Sequence, residues 1–562
     1  MATSCADERL LSAFGLSVSA PVQHESCQAL PGGGVLFLLP FLLECGLLSY
    51  RKHYAQRKGY YSFNSLFIII AFCFLCRIKS FEQVKNYVPG EFGRLVGYDR
   101  IPEVRTIRYM VKEITAQKCA DKWVVDLSGS WIDGNEPEFY YIDGHVQVYH
   151  GCLDQLGKKH VSRQRLCLPG MMEFWVNTAD GAPYFFVTSQ VNEKMIEMMK
   201  SDIIPRLKEL HPVSPVMKAW MEDCPHVPLF TLVFDREAWS PDFFAWLWDT
   251  HRIAVITYRK YVKDQWDKSL FREYPVATSM GEVKMKLHEK DVLDAKCLMR
   301  EVRKPGNEDH QTSIITTNPM IRIEVVASQM FARWATENYF RFMRQDYNID
   351  RIIQYSIDEI NTDVEVVNRE YSNITYELKK ERSKLYYREA KLLQYQEQNP
   401  LLEEDENENK KLMMKKLELM EDIQKVQKII NELINKRKGV PYKIKLSDMP
   451  EATRYNRLNQ ESKTLMNVIK MICYRAETAL ASRLSPHYKR AGQEIRTLIK
   501  SIINTTIDME VDQDNEILII TLYPLANQRS NEAVSKICEL LNDTKTIYPD
   551  TNLKLFYKIT TV

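Results

Sequence analysis

The hydrophobic pattern changes period several times along the chain, and each change marks a different kind of element. Two apolar runs come first, residues 34–50 (GVLFLLPFLLECGLLSY, broken by Pro40 and Glu44) and residues 62–76 (SFNSLFIIIAFCFLC). Each is shorter than the roughly 20 residues of a spanning helix, so two buried helices are expected, with a basic-flanked membrane hairpin as the alternative. From Ser80 the chain reads as short helices broken at Pro89-Gly90 and Gly97, then a helix opening at Pro102, a favoured first-turn residue. Val104, Ile107, Val111 and Ile114 line one face of that helix, and Arg105, Arg108 and Lys112 lie off it. The arrangement is that of a helix-turn-helix whose last helix could enter a DNA groove; an ordinary amphipathic helix has the same pattern.

The period then shortens to two. FYYIDGHVQVYHG (139–151) alternates and is rich in aromatic and β-branched residues, so it predicts a strand with Asp143 in its middle. RQRLCLP from Arg163, EFWVN and PYFFVT predict a second extended pair around the turn ADGAP. A helix from Asn192 to Leu210 follows, then the apolar strand PLFTLVFDRE, ending at Asp235, Arg236 and Glu237. Ser240-Pro241 opens a helix, and RIAVITYRK is another buried strand, completing an α/β unit with a mixed sheet. Residues 261–311 are too long for a loop and carry the alternating stretches GEVKMKLHEKDVLD and KCLMREVRK, so a β-rich insertion is expected, with a small independent β subdomain as the alternative. TSIITTN then returns the chain to the core.

Residues 327–347 (ASQMFARWATENYFRFMRQDY) contain no Gly or Pro and predict one continuous helix. Arg333, Glu337 and Arg344 fall along one of its faces. Read alone, they are a solvated salt-bridge stripe. Beyond Asp350, Tyr371, Ile374, Leu378, Leu385 and Leu392 follow a 3-4 spacing in which Glu381 and Arg388 fill two seam positions, and a second run has Leu412, Leu419, Ile423, Val426, Ile430 and Leu433. Pro400 in the acidic stretch between them favours an antiparallel coiled-coil hairpin over a parallel dimerising coil. The last part alternates helices with the strands IDMEV, EILIITLYP and LKLFYKITTV.

Composition narrows the chemistry. With 562 residues, 45% hydrophobic and 27% charged, the chain is long enough for several globular units. A net charge of +2 confines any nucleic-acid contact to local basic surfaces. The 12 cysteines are scattered, with one C-x-x-C spacing (Cys73 and Cys76) inside an apolar run, and read as reduced thiols. An apolar strand ending in Asp is a candidate site for a hard divalent cation, and two such ions can drive phosphoryl transfer. Asp143, Asp235 and Glu337 become such a site if the fold places the two aspartates on adjacent parallel strands under the glutamate helix.

On YIDGHVQVYHG, LVFDRE and ARWATENYFRFMRQ the chain resembles bacterial insertion-sequence transposases of the DDE class. One large group there has a Tyr-x2-Arg-x3-Glu-x6-Lys signature, and this chain has Met330, Arg333, Glu337 and Arg344 at its four places. Arg for Lys keeps a phosphate-binding cation; Met for Tyr removes a hydroxyl. The resemblance implies a multidomain α/β plus α protein. Its parts would be an N-terminal helical domain (1–118), a ribonuclease H-like catalytic domain (119–350, insertion 261–311), a coiled-coil hairpin (351–440) and a C-terminal α/β domain (441–562).

It further implies that Asp143, Asp235 and Glu337 hold two Mg²⁺ ions, Mn²⁺ being able to substitute. DNA would be cut at element ends, and the freed 3′-hydroxyl joined to target DNA. Arg333 and Arg344 would clamp phosphates, with Arg105, Arg108 and Lys112 on DNA. His145, on the same strand face as Asp143, is either a contact to DNA or a metal-bound water or, as is more usual for a lone His near a strand end, a structural hydrogen-bonder. Glu237 is a substitute ligand or a turn cap. Double-stranded DNA is the implied partner, with a homodimer in the DNA complex, no small-molecule cofactor, no membrane, and a cytoplasmic, nucleoid-associated location. Two other readings stand beside this one: a catalytically inactive DNA-binding descendant, and a membrane-tethered coiled-coil scaffold.

Overall fold

The structure is a computed structural model that describes residues 6–17, 19–132, 138–148, 158–161, 166–189, 194–262, 264–278, 281–294, 297–306, 310–350, 357–359, 365–398, 406–448, 456–458, 460–488 and 493–560. Several expectations lie outside these residues: the strand end at 149–151, the basic stretch 163–165, the helix start at Asn192, and the turn with Pro400.

The two ends of the chain build one sheet. β1 (Cys27–Leu30) pairs antiparallel with Ile507–Asp512, which pairs antiparallel with Ile517–Leu522, and Lys554–Ile559 completes the sheet in parallel. The N-terminal apolar runs pack behind it. Every residue of the helix Phe63–Leu75 is buried, and it lies against the C-terminal helix Glu461–Leu484. The stretch Gly33–Lys52 is apolar and long enough to cross a membrane by length and composition, and most of it is buried inside the protein. Gly34 shows how close this packing is, since a Cβ there would lie 1.8 Å from the Ile502 carbonyl oxygen.

The second sheet has ten strands: β2 (Phe139–Val148), β3 (Lys158–Val161), β4 (Leu166–Asn177), β5 (Pro183–Thr188), β6 (Phe230–Phe234), β7 (Ile253–Tyr258), β8 (Arg272–Thr278), β9 (Gly281–Asp294), β10 (Cys297–Pro305) and β11 (Gln311–Thr316). Their order is β3-β4-β2-β6-β7-β11-β10-β9-β8, with β5 also on β4. The pairs β2/β6 and β6/β7 are parallel and the others antiparallel. β6 is buried at every residue, which explains why it reads as a continuous apolar run. The strands of 272–305 do not form a separate subdomain. They extend the same sheet outward from β11, which returns to pair with β7.

Ser240 caps the helix Pro241–His251 by accepting from the Phe243 N–H at 3.3 Å, as the Ser-Pro entry predicts. The helix expected up to Leu210 is α (Met195–Met198), one π turn (Met199–Ile203), then α again (Ile204–Leu210). Pro205 lacks an N–H, and the wider turn before it accommodates the missing bond. Two long helices, Arg369–Gln398 and Glu406–Lys438, pack antiparallel. Arg437 lies 5.8 Å over the Tyr371 ring, and further along Arg388 donates to the Asp422 carbonyl at 3.3 Å, so numbers rise on one helix as they fall on the other. Ile374, Leu378, Val426 and Ile430 are buried.

Candidate active site at the strand ends

Register brings the two aspartates together. β2 and β6 run parallel with Ile142 opposite Phe234, so the next residues, Asp143 and Asp235, stand side by side. β6 and β7 run parallel with Phe234 opposite Thr257, which adds Tyr258 to the same row. Alternation on β2 then sends Tyr141, Asp143 and His145 to one face. The helix Ile323–Gln345 lies along that face. The Tyr141 hydroxyl donates to the Gln329 carbonyl at 3.0 Å, and the His145 ring stacks on Phe340 at 5.1 Å and 12°. Between these two contacts the helix presents Arg333 and Glu337 to Asp143 and Asp235.

Arg333 is the cation of the group. Its Nη2 lies 2.8 Å from Glu337 Oε1 and 3.9 Å from Asp235 Oδ2. Asp143 accepts from the Gly144 N–H at 2.9 Å, and Asp235 from the Arg236 N–H at 2.7 Å. Burial pushes the Asp143 carboxyl up to about 6; Arg333 and the Gly144 N–H oppose this, and the charges of Asp235 and Glu337 add to it. Asp235 and Glu337 are 46% and 49% exposed, while Arg333 is 13% exposed, so the cluster opens to solvent with Asp143 at its floor.

Three carboxylates without sulfur or imidazole form a donor set suited to a hard divalent ion. In the present arrangement no group of three His, Cys, Asp or Glu among the described residues is close enough to hold one. The guanidinium of Arg333 supplies the positive charge instead.

The other expected residues divide. Arg344 is in the last turn of the same helix, seven residues or roughly 10 Å beyond Glu337. His145 is 3% exposed, its Nε2 lies 2.6 Å from Asp350 Oδ1, and its ring is covered by Phe340. Of its two expected roles, this geometry is that of the structural hydrogen-bonder. Glu237 Oε2 lies 3.6 Å from where a Cβ on Gly144 would stand, which is the face of β2 opposite Asp143. Glu237 is thus separated from the carboxylate row by the sheet.

Arg105, Arg108 and Lys112 are exposed on the helix Val104–Thr115. Arg105 and Arg108 border a cleft of about 410 Å³ with Lys85 and Arg100, and Arg108 pairs with Glu82 at 2.5 Å. Two residues at the strand ends escaped the sequence reading. Tyr258 has its hydroxyl pKa raised by burial, and the charges of Arg333, Asp235 and Glu337 act on it. Arg236 lies 5.6 Å over the Tyr258 ring. What aligns Tyr258 with Asp143 and Asp235 is the register of three parallel strands, each residue following the last matched pair, Ile142–Phe234 and Phe234–Thr257.

A family model described as "Transposase protein" matches residues 2–561. No curated protein matches the chain. Among solved structures it is similar to a piggyBac transposase in a synaptic complex with hairpin DNA, at 9% identity over 83% of this chain and 82% of that one, with a TM-score of 0.29.

Proposed function

The chain belongs to the transposase family whose model spans it, and from that premise we propose a DNA transposase of the DDE class with Asp143, Asp235 and Glu337 as its carboxylates. One observation carries the assignment of the site. Residues 92 positions apart in sequence meet where the parallel pairing of β2 with β6 ends, directly beneath a helix that supplies a third carboxylate and an arginine. The mixed sheet with this row of carboxylates supports a ribonuclease H-like reading of residues 119–350, with β8–β10 as its insertion.

Asp143, Asp235 and Glu337 would hold divalent ions, Mg²⁺ above all. When bound, such ions supply neutralisation of the phosphate and activation of the attacking oxygen. The protein's own residues do the rest. Arg333, and Arg344 further along the helix, grip phosphates beside the scissile bond through charge-assisted hydrogen bonds. Burial of Asp143 fixes the floor of the site. Arg105 and Arg108, with Lys85 and Arg100 around the same cleft and Lys112 further along the helix, outnumber the Glu82 and Glu103 that share the cleft and form a second basic surface suited to the DNA backbone. The reaction is hydrolysis at an element end to free a 3′-hydroxyl, then attack of that hydroxyl on target DNA, within a homodimer.

The test is to incubate the full-length protein with DNA carrying the element's own ends and map the nicks. Mg²⁺-dependent nicks bearing 3′-hydroxyls at the element boundary are expected. Nicks elsewhere, or nicking unchanged by chelation, would refute the reading.

A further inference from the structure

The carboxylate cluster is already occupied by a cation of the protein's own. Arg333 reaches Glu337 at 2.8 Å and Asp235 at 3.9 Å, and its charge acts on Asp143 and Tyr258 as well. A guanidinium stays charged at any physiological pH, so this counter-charge is not lost by deprotonation. It is lost only by displacement. Arg333 and Glu337 are one turn apart on the same helix, so the side chain can leave Glu337 by changing rotamers, without moving the backbone.

We infer that Arg333 is an exchangeable internal cation that shields the carboxylates from divalent ions until a phosphate draws it away. The inference deepens the proposed function and rests on it. In the free protein the guanidinium neutralises Glu337 and Asp235, and among the described residues no three carboxylates approach closely enough to hold an ion. A DNA phosphate offers two non-bridging oxygens that the guanidinium's two-pronged N–H edge can engage together, against the single Nη2–Oε1 contact to Glu337, and so competes for Arg333. Its departure leaves Asp235 and Glu337 with uncompensated charge beside Asp143, and the site then takes divalent ions. The arginine thus serves two steps in order: it keeps the free protein metal-poor, and it grips the substrate when the metal enters. Cutting is confined to protein already seated on DNA.

Mn²⁺ binding to the full-length protein, read by the loss of the free-ion electron paramagnetic resonance signal, tests this without any turnover. Wild type should bind Mn²⁺ weakly, and Arg333→Gln about tenfold more tightly, since one guanidinium charge no longer competes at the carboxylates. Arg333→Lys keeps the charge and should stay near wild type, which also serves if the Gln variant folds poorly by circular dichroism. A short DNA duplex should tighten Mn²⁺ binding to wild type and leave Arg333→Gln unchanged. Glu337→Gln should weaken binding in every case. Equal Mn²⁺ affinity in wild type and Arg333→Gln, or the same gain from duplex in both, would overturn the switch and leave the metal site standing. Binding that Glu337→Gln does not alter, or no binding by Arg333→Gln or by wild type with duplex, would remove the metal site and the switch together.

Discussion

Asp143 stores a conflict that can be measured. Its carboxyl is pushed up to about 6 by burial and by Asp235 and Glu337, so the native state binds its proton more tightly than the unfolded chain does. The stability it contributes is present below the unfolded value near 3.8 and is lost as pH rises through about 6. Asp143→Asn should therefore raise the melting temperature of the metal-free protein at pH 8 and change it little at pH 4. After allowance for partial exposure the gain is about 1–2 kcal/mol, and a thermal melt at the two pH values checks it. Equal shifts at both would contradict the assignment. At this scale Arg333 and Glu337 were legible from spacing alone, because a helix repeats every few residues. Meeting of Asp143 with Asp235 was not, because it depends on strand register. For His145, strand alternation places it on the face of Asp143 but says nothing of Phe340, which covers its ring.

The glutamate helix is held at its far end by charges from other parts of the chain. Arg77 lies 5.6 Å over Phe342 and 4.9 Å over Tyr347, and its Nη2 is 2.7 Å from Glu477 Oε1. Arg496 approaches Glu477 Oε2 at 3.4 Å and lies 4.4 Å over Phe342. Removing the carboxylate leaves buried Arg77 without its closest anion, a change that costs about 3–5 kcal/mol. Glu477→Ala should thus lower the unfolding midpoint in urea well below that of Glu477→Gln, which keeps a hydrogen-bond acceptor.

A second element makes a different prediction. If the helix Val104–Thr115 lies on DNA, Arg105→Gln and Lys112→Gln should each weaken binding. Each should also reduce the slope of log affinity against log salt by about 0.9 for every phosphate left without its cation; unchanged slopes would take this helix off the DNA. Elements of this kind were readable because their apolar residues recur with a single period. The π turn at Met199–Ile203 was not, since Pro205 is compatible with either a break or a bulge.

Across the molecule, segments far apart in sequence are built into one another. β1 pairs with a strand near the C-terminus, and the apolar N-terminal helices surround the helix Glu461–Leu484. The parts expected at 1–118 and 441–562 thus share a sheet and a core, which the sequence pattern does not reveal, because a shift of pattern marks where an element changes, not what it packs against. The insertion is a similar case: its alternating stretches predicted strands, but only the β7–β11 pairing joins them to the central sheet. Gly34→Ala would force a Cβ to within 1.8 Å of the Ile502 carbonyl oxygen and separate the two ends. A melting temperature lowered by several degrees is expected, with cleavage falling in parallel; an unchanged melt would argue against this packing.

The central claim is that three residues from three distant segments form one catalytic site. The most direct measurement is the single-turnover rate of Mg²⁺-dependent nicking on element-end DNA by wild type, Asp143→Asn, Asp235→Asn and Glu337→Gln, with folding checked by circular dichroism. Each folded variant should lose at least about a hundredfold in rate, equivalent to roughly 2.7 kcal/mol of barrier. Full activity in any one of them would contradict the site.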